Sequence, residues 1–324
     1  MSLTLSCSLT SSLRSHEHTR IAEELGYTRA WFYDSPALYA DVWVQLCRAA
    51  EITERITLGP GVLVPSLRHP MVTASAIAQL VSIVGTERVV VGVGSGFTGR
   101  VSLGQRPSRW RDVCAYIEAV KGLLAGKKVE WDGGLMQMLH EAPFAPPRPI
   151  EVPWLVAAEG PKGIAAAREH GNGVLSVTKP IPGFDWSAQV VFGTVLEQDE
   201  SPGTERAIAA AGHGASVLLH VAAEFGMFDL IPGAQEWAET AYSDVPEKER
   251  HLALHEGHLH SVNDRDRPFV TTELMAATGA ALEPAQWRNK LAELREAGVT
   301  EIVYQPAGPD IPRELEAFAT AFQN

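Results

Sequence analysis

The sequence has little cysteine, little positive charge and no long apolar run. Its three cysteines, Cys7, Cys47 and Cys114, lie far apart and form no CxxC pair, which argues against a disulfide framework and against a thiolate metal site. A formal net charge of −12, with no run rich in Lys and Arg, argues against nucleic acid as a partner. No apolar run reaches about 18 residues, so we expect neither a membrane span nor a signal peptide. These features favour a protein of the reducing cytoplasm.

Motifs of several enzyme classes are also absent. There is no Ser nucleophile elbow, Walker loop or pair of catalytic carboxylates, which leaves hydrolase and kinase functions without support. The HEGHLH segment carries His255, His258 and His260, but its spacing does not match HExxH, and we predict no metal site. We expect these histidines to line a polar pocket or to cover a surface turn. The neighbouring DRDR run, Asp264–Arg267, is typical of a solvated ion-pair cluster.

The residues that are present suit a globular α/β protein. Hydrophobic residues make up 45% and charged residues 20% of the chain, which allows a sizeable core. Short β-rich runs alternate with helical segments, as in a parallel sheet covered by helices, and eight such strands favour closure into a (β/α)8 TIM barrel. We predict one domain over residues 1–324. The seventh of the predicted strands could also be part of a helix. The predicted strands are Leu3–Leu9, Arg29–Asp34, Ile56–Val64, Arg88–Gly94, Val152–Ala158, Gly173–Thr178, Gln189–Leu196 and Val299–Tyr304.

Two stretches interrupt the alternation. Lys127–Leu139 predicts a β-hairpin that turns at Asp132-Gly133-Gly134, before a proline-rich connector. The largest insertion separates the seventh and eighth strands. It covers about positions 198–298, together with the region of the seventh helix, and includes helical segments at Glu205–Ala211 and Gly233–Tyr242. Because loops at the carboxyl ends of barrel strands build active sites, we expect this insertion to determine substrate specificity.

The fourth strand runs into a glycine-rich loop, RVVVGVGSGFTG. Gly94, Gly96 and Gly99 spell GxGxxG, the pattern of a dinucleotide-binding turn. Such a turn needs a helix to start within the glycine cluster, but the next helical pattern follows only Pro107. An NAD(P)-binding Rossmann domain would require a helix directly after Gly96. We interpret the glycines instead as a loop that lets a flat ring approach the backbone closely.

The fifth strand ends at Glu159-Gly160-Pro161-Lys162, where the next helix begins. Proline in the first turn and glycine just before it leave backbone N–H groups free at a helix N-terminus, which is a site for a phosphate. An ordinary strand-to-helix turn is the alternative. Glu159 would repel an anion unless its side chain turns away.

Two further strand ends carry candidate residues. Asp34 ends the second strand, where a carboxylate could contact a cofactor or cap a helix. Pro60, Gly61 and Pro65 interrupt the third strand and predict an irregular end such as a bulge. His69 follows, either as a structural residue that orders the loop or as a catalytic one.

The order of these motifs resembles the luciferase-like monooxygenase superfamily, especially the branch with methylenetetrahydromethanopterin reductase and F420-dependent glucose-6-phosphate dehydrogenase. The resemblance covers about two thirds of the chain. It runs through AEELGYTRAWFYD, AAEITERITLGPGVLVPSLRHPMVTASAIAQL, RVVVGVGSGF and PWLVAAEGPKGIAAAREHGNGVLSV, and resumes at LREAGVTEIVYQPAGPD.

The resemblance implies a barrel that binds the deazaflavin F420 or, alternatively, FMN. Asp34 looks like the family's cofactor-contacting aspartate, and Gly61-Val62 looks like the site of a non-prolyl cis peptide that backs the flavin ring. Val64 takes a position that is a cofactor-contacting threonine in some members. The expected cofactor-binding residues are Asp34, Gly61, Val62, Val64, Gly94, Ser95, Glu159, Gly160 and Pro161.

Three positions depart from the glucose-6-phosphate branch. Ser35 stands where that branch has a catalytic histidine, Phe97 where it has a carboxylate, and Arg100 where it has a cofactor-contacting asparagine. This chain lacks the catalytic histidine and the carboxylate of that branch, and we therefore do not expect it to oxidise a sugar phosphate with such an acid–base pair.

The expected function is hydride transfer between F420 or FMN and an unknown small organic substrate. A monooxygenase that uses reduced FMN and O2 is one alternative, and a flavin-binding relative without catalysis is another. The candidates for a proton donor are His69, His255 and His258. Relatives of this kind commonly form homodimers, and we expect the same here.

Overall fold

The computed structural model describes residues 3–323, without the side chains of 223–225. Its centre is a sheet of eight parallel strands in the order β3-β2-β1-β8-β7-β6-β5-β4. Bridges at Leu58 with Val89 and at Leu63 with Val93 join β3 to β4 and close the barrel. The strands are β1 (Thr4–Leu9), β2 (Arg29–Phe32), β3 (Thr57–Pro60), β4 (Val91–Gly94), β5 (Trp154–Ala157), β6 (Gly173–Ser176), β7 (Ser187–Phe192) and β8 (Glu301–Gln305). All eight predicted strands are confirmed, including the seventh.

Helices surround the barrel, although none lies between β6 and β7 among the residues described. The α-helices are α1 (Ser15–Glu24), α2 (Val42–Ala50), α3 (Pro70–Val84), α4 (Phe97–Val101), α5 (Trp110–Leu124), α6 (Pro161–His170), α7 (Glu205–Phe225), α8 (Ala234–Thr240), α9 (Arg250–Leu254), α10 (Thr272–Thr278), α11 (Pro284–Glu296) and α12 (Ile311–Gln323). Short 3-10 turns occupy Pro65–Leu67, Thr86–Arg88, Phe228–Leu230, Glu247–Glu249 and Arg267–Phe269. In the part of the chain that is described, no helix is long and apolar enough to cross a membrane.

The barrel interior is closed at the amino ends of its strands by a buried carboxylate. Glu301, the first residue of β8, is fully buried and accepts hydrogen bonds from Arg29 at 2.9 Å, Trp31 Nε1 at 3.2 Å and Trp186 Nε1 at 2.6 Å. A buried carboxylate with this many donors is satisfied without water. This end of the barrel is therefore filled by protein side chains.

The predicted hairpin is confirmed. Val129–Trp131 pairs antiparallel with Gly134–Met136. Asp132 and Gly133 form the turn with positive φ angles of 48° and 77°, a conformation that glycine and aspartate tolerate better than most residues.

The insertion between β7 and β8 has a hydrophobic core of its own, which includes Trp237 and Leu274. Its first helix was predicted to end at Ala211 but continues to Phe225. The prediction was wrong because glycines 212 and 214 usually weaken a helix. Here they permit close packing, since a Cβ on Gly212 would lie 2.7 Å from the side chain of Val262.

The predicted surface character of DRDR holds for Asp264, which is exposed, and for Arg265 and Arg267, which form ion pairs at the surface, but it is wrong for Asp266. Asp266 is fully buried, and its carboxylate accepts hydrogen bonds from Trp237 Nε1 at 2.7 Å and from Tyr242 Oη at 3.0 Å. Its other oxygen contacts His220 Nε2 at 2.9 Å and Asn263 Nδ2 at 3.1 Å. Asp266 therefore organises the insertion core.

Candidate cofactor site at the mouth of the barrel

The carboxyl ends of the eight parallel strands meet at one end of the barrel, which we call the mouth. This is the end at which barrel enzymes place their active sites. Four candidates from the sequence follow strand ends within two residues, namely Asp34, Gly61, Ser95 and Glu159. Val177, which the sequence did not single out, follows β6.

Asp34 is buried at the mouth and engaged by a cation. Its side chain is 2% exposed, and its Oδ1 accepts a hydrogen bond of 2.6 Å from Arg68, whose second nitrogen reaches Asp41 at 2.7 Å. Burial raises the pKa of Asp34, while the Arg68 guanidinium acts against that rise. Arg68 was not singled out from the sequence, because only the folded chain brings it to Asp34.

The irregular end of β3 is confirmed. The peptide bond between Gly61 and Val62 is cis, as the resemblance implied. A Cβ on Gly61 would lie 2.7 Å from the side chain of Trp31, so this position is closed to larger residues. Val62 in turn packs towards β4, where a Cβ on Gly94 would lie 3.1 Å from it. The bulge and the glycine loop thus form one packed unit.

The glycines of that loop make room for protein side chains. The space beside Gly94 is filled by Val62 and Ala157, and a Cβ on Gly96 would lie 2.3 Å from Val64. Gly96 also has a φ angle of 76°, which favours glycine. The loop therefore supports the β3 bulge, and the contacts predicted for Gly94 and Ser95 with a ring remain predictions.

A helix does begin directly after Gly96, contrary to expectation. The left-handed Gly96 turns the chain into the short helix Phe97–Val101, which the sequence pattern did not reveal because it spans little more than one turn. This helix does not restore a Rossmann domain, because β4 is part of a closed parallel barrel.

The turn after β5 presents an open helix N-terminus. Gly160, Pro161 and Lys162 are exposed, and no side chain caps the helix. Among the described residues, the backbone N–H groups of Lys162 and Gly163 have no acceptor. A Cβ on Gly160 would meet no atom within 4 Å, so the space in front of this turn is clear. Free N–H groups and the dipole of a helix N-terminus are features that favour the binding of an anion.

Glu159 turns away from this site. Its carboxylate accepts hydrogen bonds of 2.6 Å from the backbone N–H groups of Val177 and Thr178, and one of 2.7 Å from the Thr178 hydroxyl. These bonds join the ends of β5 and β6. The side chain is committed to structure, and the repulsion of an anion that the sequence suggested is avoided.

Apolar side chains stand exposed on both sides of the open turn. Phe97, after β4, is 59% exposed, and Val177, after β6, is 48% exposed. Exposed apolar groups beside an anion site suit a ligand that combines a phosphate with a flat, largely apolar ring. Phe97 replaces the carboxylate of the glucose-6-phosphate branch, so this departure makes the rim more apolar.

The other two departures have different surroundings. Ser35 is buried, and its hydroxyl would lie 3.4 Å from a Cβ on Gly99. Arg100 donates from Nε to the carbonyl of Arg106 at 2.6 Å. Neither side chain reproduces the histidine or the asparagine that it replaces.

The histidine-rich segment 255–263 lies across the mouth. Tyr39, after β2, donates to the carbonyl of His258 at 2.6 Å, and Gln305, which ends β8, donates to the carbonyl of Leu259 at 2.6 Å. The His258 ring approaches the Thr98 hydroxyl at 3.4 Å. Burial, with neighbouring histidines, lowers the pKa of His258 to about 3, and the pKa of His255 is also lowered by burial. Both rings are neutral at pH 7.

His69 lies apart from this cluster. It is exposed, its Nδ1 accepts a hydrogen bond from the backbone of Met71 at 3.2 Å, and its ring meets the edge of Trp131 in the hairpin. These contacts favour the structural alternative. In the described part of the chain, no group of three or more His, Cys, Asp and Glu side chains could hold a metal ion.

Sequence reasoning missed one histidine at the mouth, His213. It lies on α7 and is 2% exposed, and its ring centroid is 6.2 Å from that of Phe192, the last residue of β7. Neither ring nitrogen has a partner among the described residues. The only sequence signal was a histidine between two glycines in an alanine-rich helix.

The fold and the mouth define an α/β barrel enzyme whose site fits a phosphate-bearing, flavin-like group. A model of the luciferase-like monooxygenase family matches residues 12–301. The 5,10-methylenetetrahydromethanopterin reductase of Methanopyrus kandleri is 26% identical over 325 residues, which cover 92% of this chain and 90% of that protein. The F420-dependent glucose-6-phosphate dehydrogenase of Beutenbergia cavernae is 38% identical over 136 residues, 39% of each chain.

Solved structures agree on the fold. The structure of the coenzyme F420-dependent tetrahydromethanopterin reductase from Methanopyrus kandleri covers 99% of this chain with a TM-score of 0.68 at 21% identity. The chain belongs to the luciferase-like monooxygenase family and is an oxidoreductase of that class. The resemblance seen in the sequence and the barrel fold are confirmed.

Proposed function

We propose that this chain transfers a hydride between the deazaflavin F420 and a small organic substrate. The observation that carries the proposal is the open helix N-terminus at Gly160, next to the exposed apolar side chains of Phe97 and Val177. Relatives that match along most of the chain are named as F420-linked or pterin reductases, which favours F420 over FMN.

The residues at the mouth have separate tasks in this proposal. The backbone N–H groups of Lys162 and Gly163 bind the cofactor phosphate. The Gly61-Val62 bulge supports the face of the ring, and Asp34, held by Arg68, orients a polar group at its edge. When bound, F420 supplies a hydride position at C5, or FMN at N5, and the protein supplies orientation and exclusion of water.

The segment 255–263 excludes water in this proposal, because it covers the mouth from β2 to β8. His255 and His258 are neutral there, so each can donate one proton and accept another. A homodimer and a cytoplasmic location remain predictions from the sequence.

A monooxygenase reaction with reduced FMN and O2 is the second candidate, since the family itself is described as monooxygenases. The two functions differ in the cofactor that binds. A relative without catalysis would bind the cofactor but turn over no substrate.

Fluorescence titration of the purified protein with F420 and with FMN tests the proposal. We expect F420 to bind with a dissociation constant below about 100 μM, which corresponds to a binding free energy of more than about 5 kcal/mol. Gly160→Leu should weaken this binding at least about tenfold, because the side chain enters the space in front of the free N–H groups.

A matched control is Gly134→Leu in the hairpin, where a Cβ would meet only one atom, at 3.6 Å. Both variants should unfold at the wild-type temperature. If neither cofactor binds, the proposed function is wrong; if Gly160→Leu binds as wild type does, the phosphate site lies elsewhere.

A further inference from the structure

The buried histidine of α7 has no role in the proposal above, although it lies at the mouth. Phe192 points into the top of the barrel, where it packs with the inward-facing residues of β5 to β8. A Cβ on Gly214 would lie 3.3 Å from its ring, and the His213 ring is the next group along the helix. Strand β7 lies opposite β3 in the eight-stranded ring, so the end of β7, which contacts His213 through Phe192, lies across the mouth from the Gly61-Val62 bulge.

The helix face that carries His213 is turned to the barrel. A Cβ on Gly308, in the loop after β8, would lie 2.8 Å from the carbonyl of Ala209. Residues four apart share a face of a helix, which places His213 on the same face as Ala209. The opposite face, which includes Ala211 and Ala215, packs into the insertion core.

Both nitrogens of the His213 ring lack a partner. A neutral imidazole has one donor and one acceptor, and leaving them buried without partners opposes folding. Within residues 3–323, His213 is the one histidine with both nitrogens buried and unpartnered. By contrast, His220, seven residues further along the same helix, contacts Asp266 at 2.9 Å.

We propose that His213 contacts the substrate and forms a hydrogen bond through its neutral imidazole to a carbonyl or hydroxyl oxygen of a molecule that is otherwise apolar. The inference rests on the proposed hydride transfer and names its substrate class. With such a substrate, reduced F420 gives a hydride to the carbonyl carbon while a proton goes to the carbonyl oxygen, and the reverse reaction takes the hydride from the carbon of the alcohol. The apolar body lies against Phe192, which is only partly buried, and the oxygen meets the ring nitrogens of His213.

The charge state of the ring agrees with this role. Burial, with a smaller contribution from His260, lowers the pKa of His213 to about 4. His213 in turn contributes to the lowered pKa of His258, whose ring is neutral as well. A neutral ring recognises an uncharged oxygen without burying a charge.

Thermal unfolding of His213→Leu and His220→Leu separates this role from a structural one. Leucine removes the unpartnered nitrogens of His213, so this variant should unfold at the wild-type temperature or above it. His220→Leu leaves Asp266 without one of its partners and should unfold at least about 2 °C lower. An equal loss in both variants would overturn the proposal.

Nitrogen NMR of histidine-labelled protein, with cofactor bound, tests the contact itself. The probes are cyclohexanone and cyclohexanol. The ring signals that are missing in His213→Leu identify His213, and we expect them to shift when a probe is added. Unchanged signals with both probes overturn the proposal. Cofactor titration of the wild type and of His213→Leu separates the substrate contact from the proposed function. If neither protein binds the cofactor, the proposed function is wrong. If both bind it equally and the His213 signals do not shift with a probe, only the substrate contact is wrong.

Discussion

Asp34 and Arg68 show how a single buried charge shapes the mouth. Arg68 neutralises Asp34 and also reaches Asp41, which caps α2 by accepting from the backbone N–H groups of Trp43 and Val44. One guanidinium thus joins the end of β2, the loop after β3 and the start of a helix. Arginine suits this task because its fork offers several donors in fixed directions.

Replacement of Arg68 should therefore be costly and depend on pH. Arg68→Met leaves the Asp34 carboxylate buried without a cation, and we expect a loss of about 3–5 kcal/mol in the free energy of unfolding at pH 7. The pKa of Asp34 is already raised by burial and rises further in the variant. The deficit should be full above that raised pKa and should shrink as the pH falls towards the ordinary value of 3.8, because a protonated Asp34 needs no cation.

Urea unfolding at pH 7 and pH 5 measures this effect. The double variant Arg68→Met with Asp34→Asn serves as the control, and it should recover part of the lost stability. A deficit that does not change with pH, together with no recovery, would mean that the pair is not coupled.

Local signals made some site residues predictable and left others hidden. Glycines and prolines in the sequence revealed the Gly61-Val62 bulge and the turn at Gly160, because these residues determine the backbone conformation at their own positions. Arg68 and Glu301 gave no such signal, since their partners are distant in sequence. His213 gave none because its contact with Phe192 forms only in the folded chain. Burial of a charged residue can be recognised only when the fold has brought its partners together.

The insertion between β7 and β8 depends on a buried polar centre. Asp266 joins the end of α7, the helix α8 and the segment after α9 through His220, Trp237 and Asn263. Burial acts to raise its pKa, but the bonds from His220 and Trp237 outweigh that effect and the pKa is lowered from 3.8. The carboxylate therefore stabilises the folded insertion above that ordinary value, and this contribution is lost as the pH falls through the folded-state pKa.

Asp266→Asn should cost about 3 kcal/mol or more at pH 7, because an amide cannot replace a carboxylate among so many donors. Urea unfolding followed by tryptophan fluorescence measures the loss. The matched control is Asp264→Asn, two residues away on an exposed position, which should leave stability unchanged. Equal effects at the two positions would show that the centre does not hold the insertion.

Elements were predicted well where periodicity was continuous and poorly where glycine interrupted it. The eight strands and the hairpin follow from β-rich runs bounded by turns. The length of α7 was missed because Gly212 and Gly214 imitate a helix end, and α4 was missed because one short turn has no measurable period. In both cases tertiary contacts override local propensity.

The whole molecule combines a barrel, which the alternating pattern predicts, with a cover that belongs to the predicted insertion and whose contacts only the fold reveals. The cover is the segment 255–263. His258 joins it to the loops after β2 and β4 through Tyr39 and Thr98, and Leu259 joins it to the end of β8 through Gln305. These loops also border the proposed cofactor site. A cofactor that orders the loops should therefore order the cover as well, since segments with few buried contacts open most readily in the absence of a ligand.

Amide hydrogen exchange with and without saturating F420 tests this coupling. We expect slower exchange with cofactor in residues 95–98 and in the cover, whose backbone carbonyls accept from Tyr39 and Gln305. The hairpin at 127–139 serves as the internal control, because it lies outside the mouth against Tyr116 of α5, and its exchange should not change. Protection of residues 95–98 alone would mean that the cover moves independently of the cofactor, and equal protection throughout would indicate only a general gain in stability.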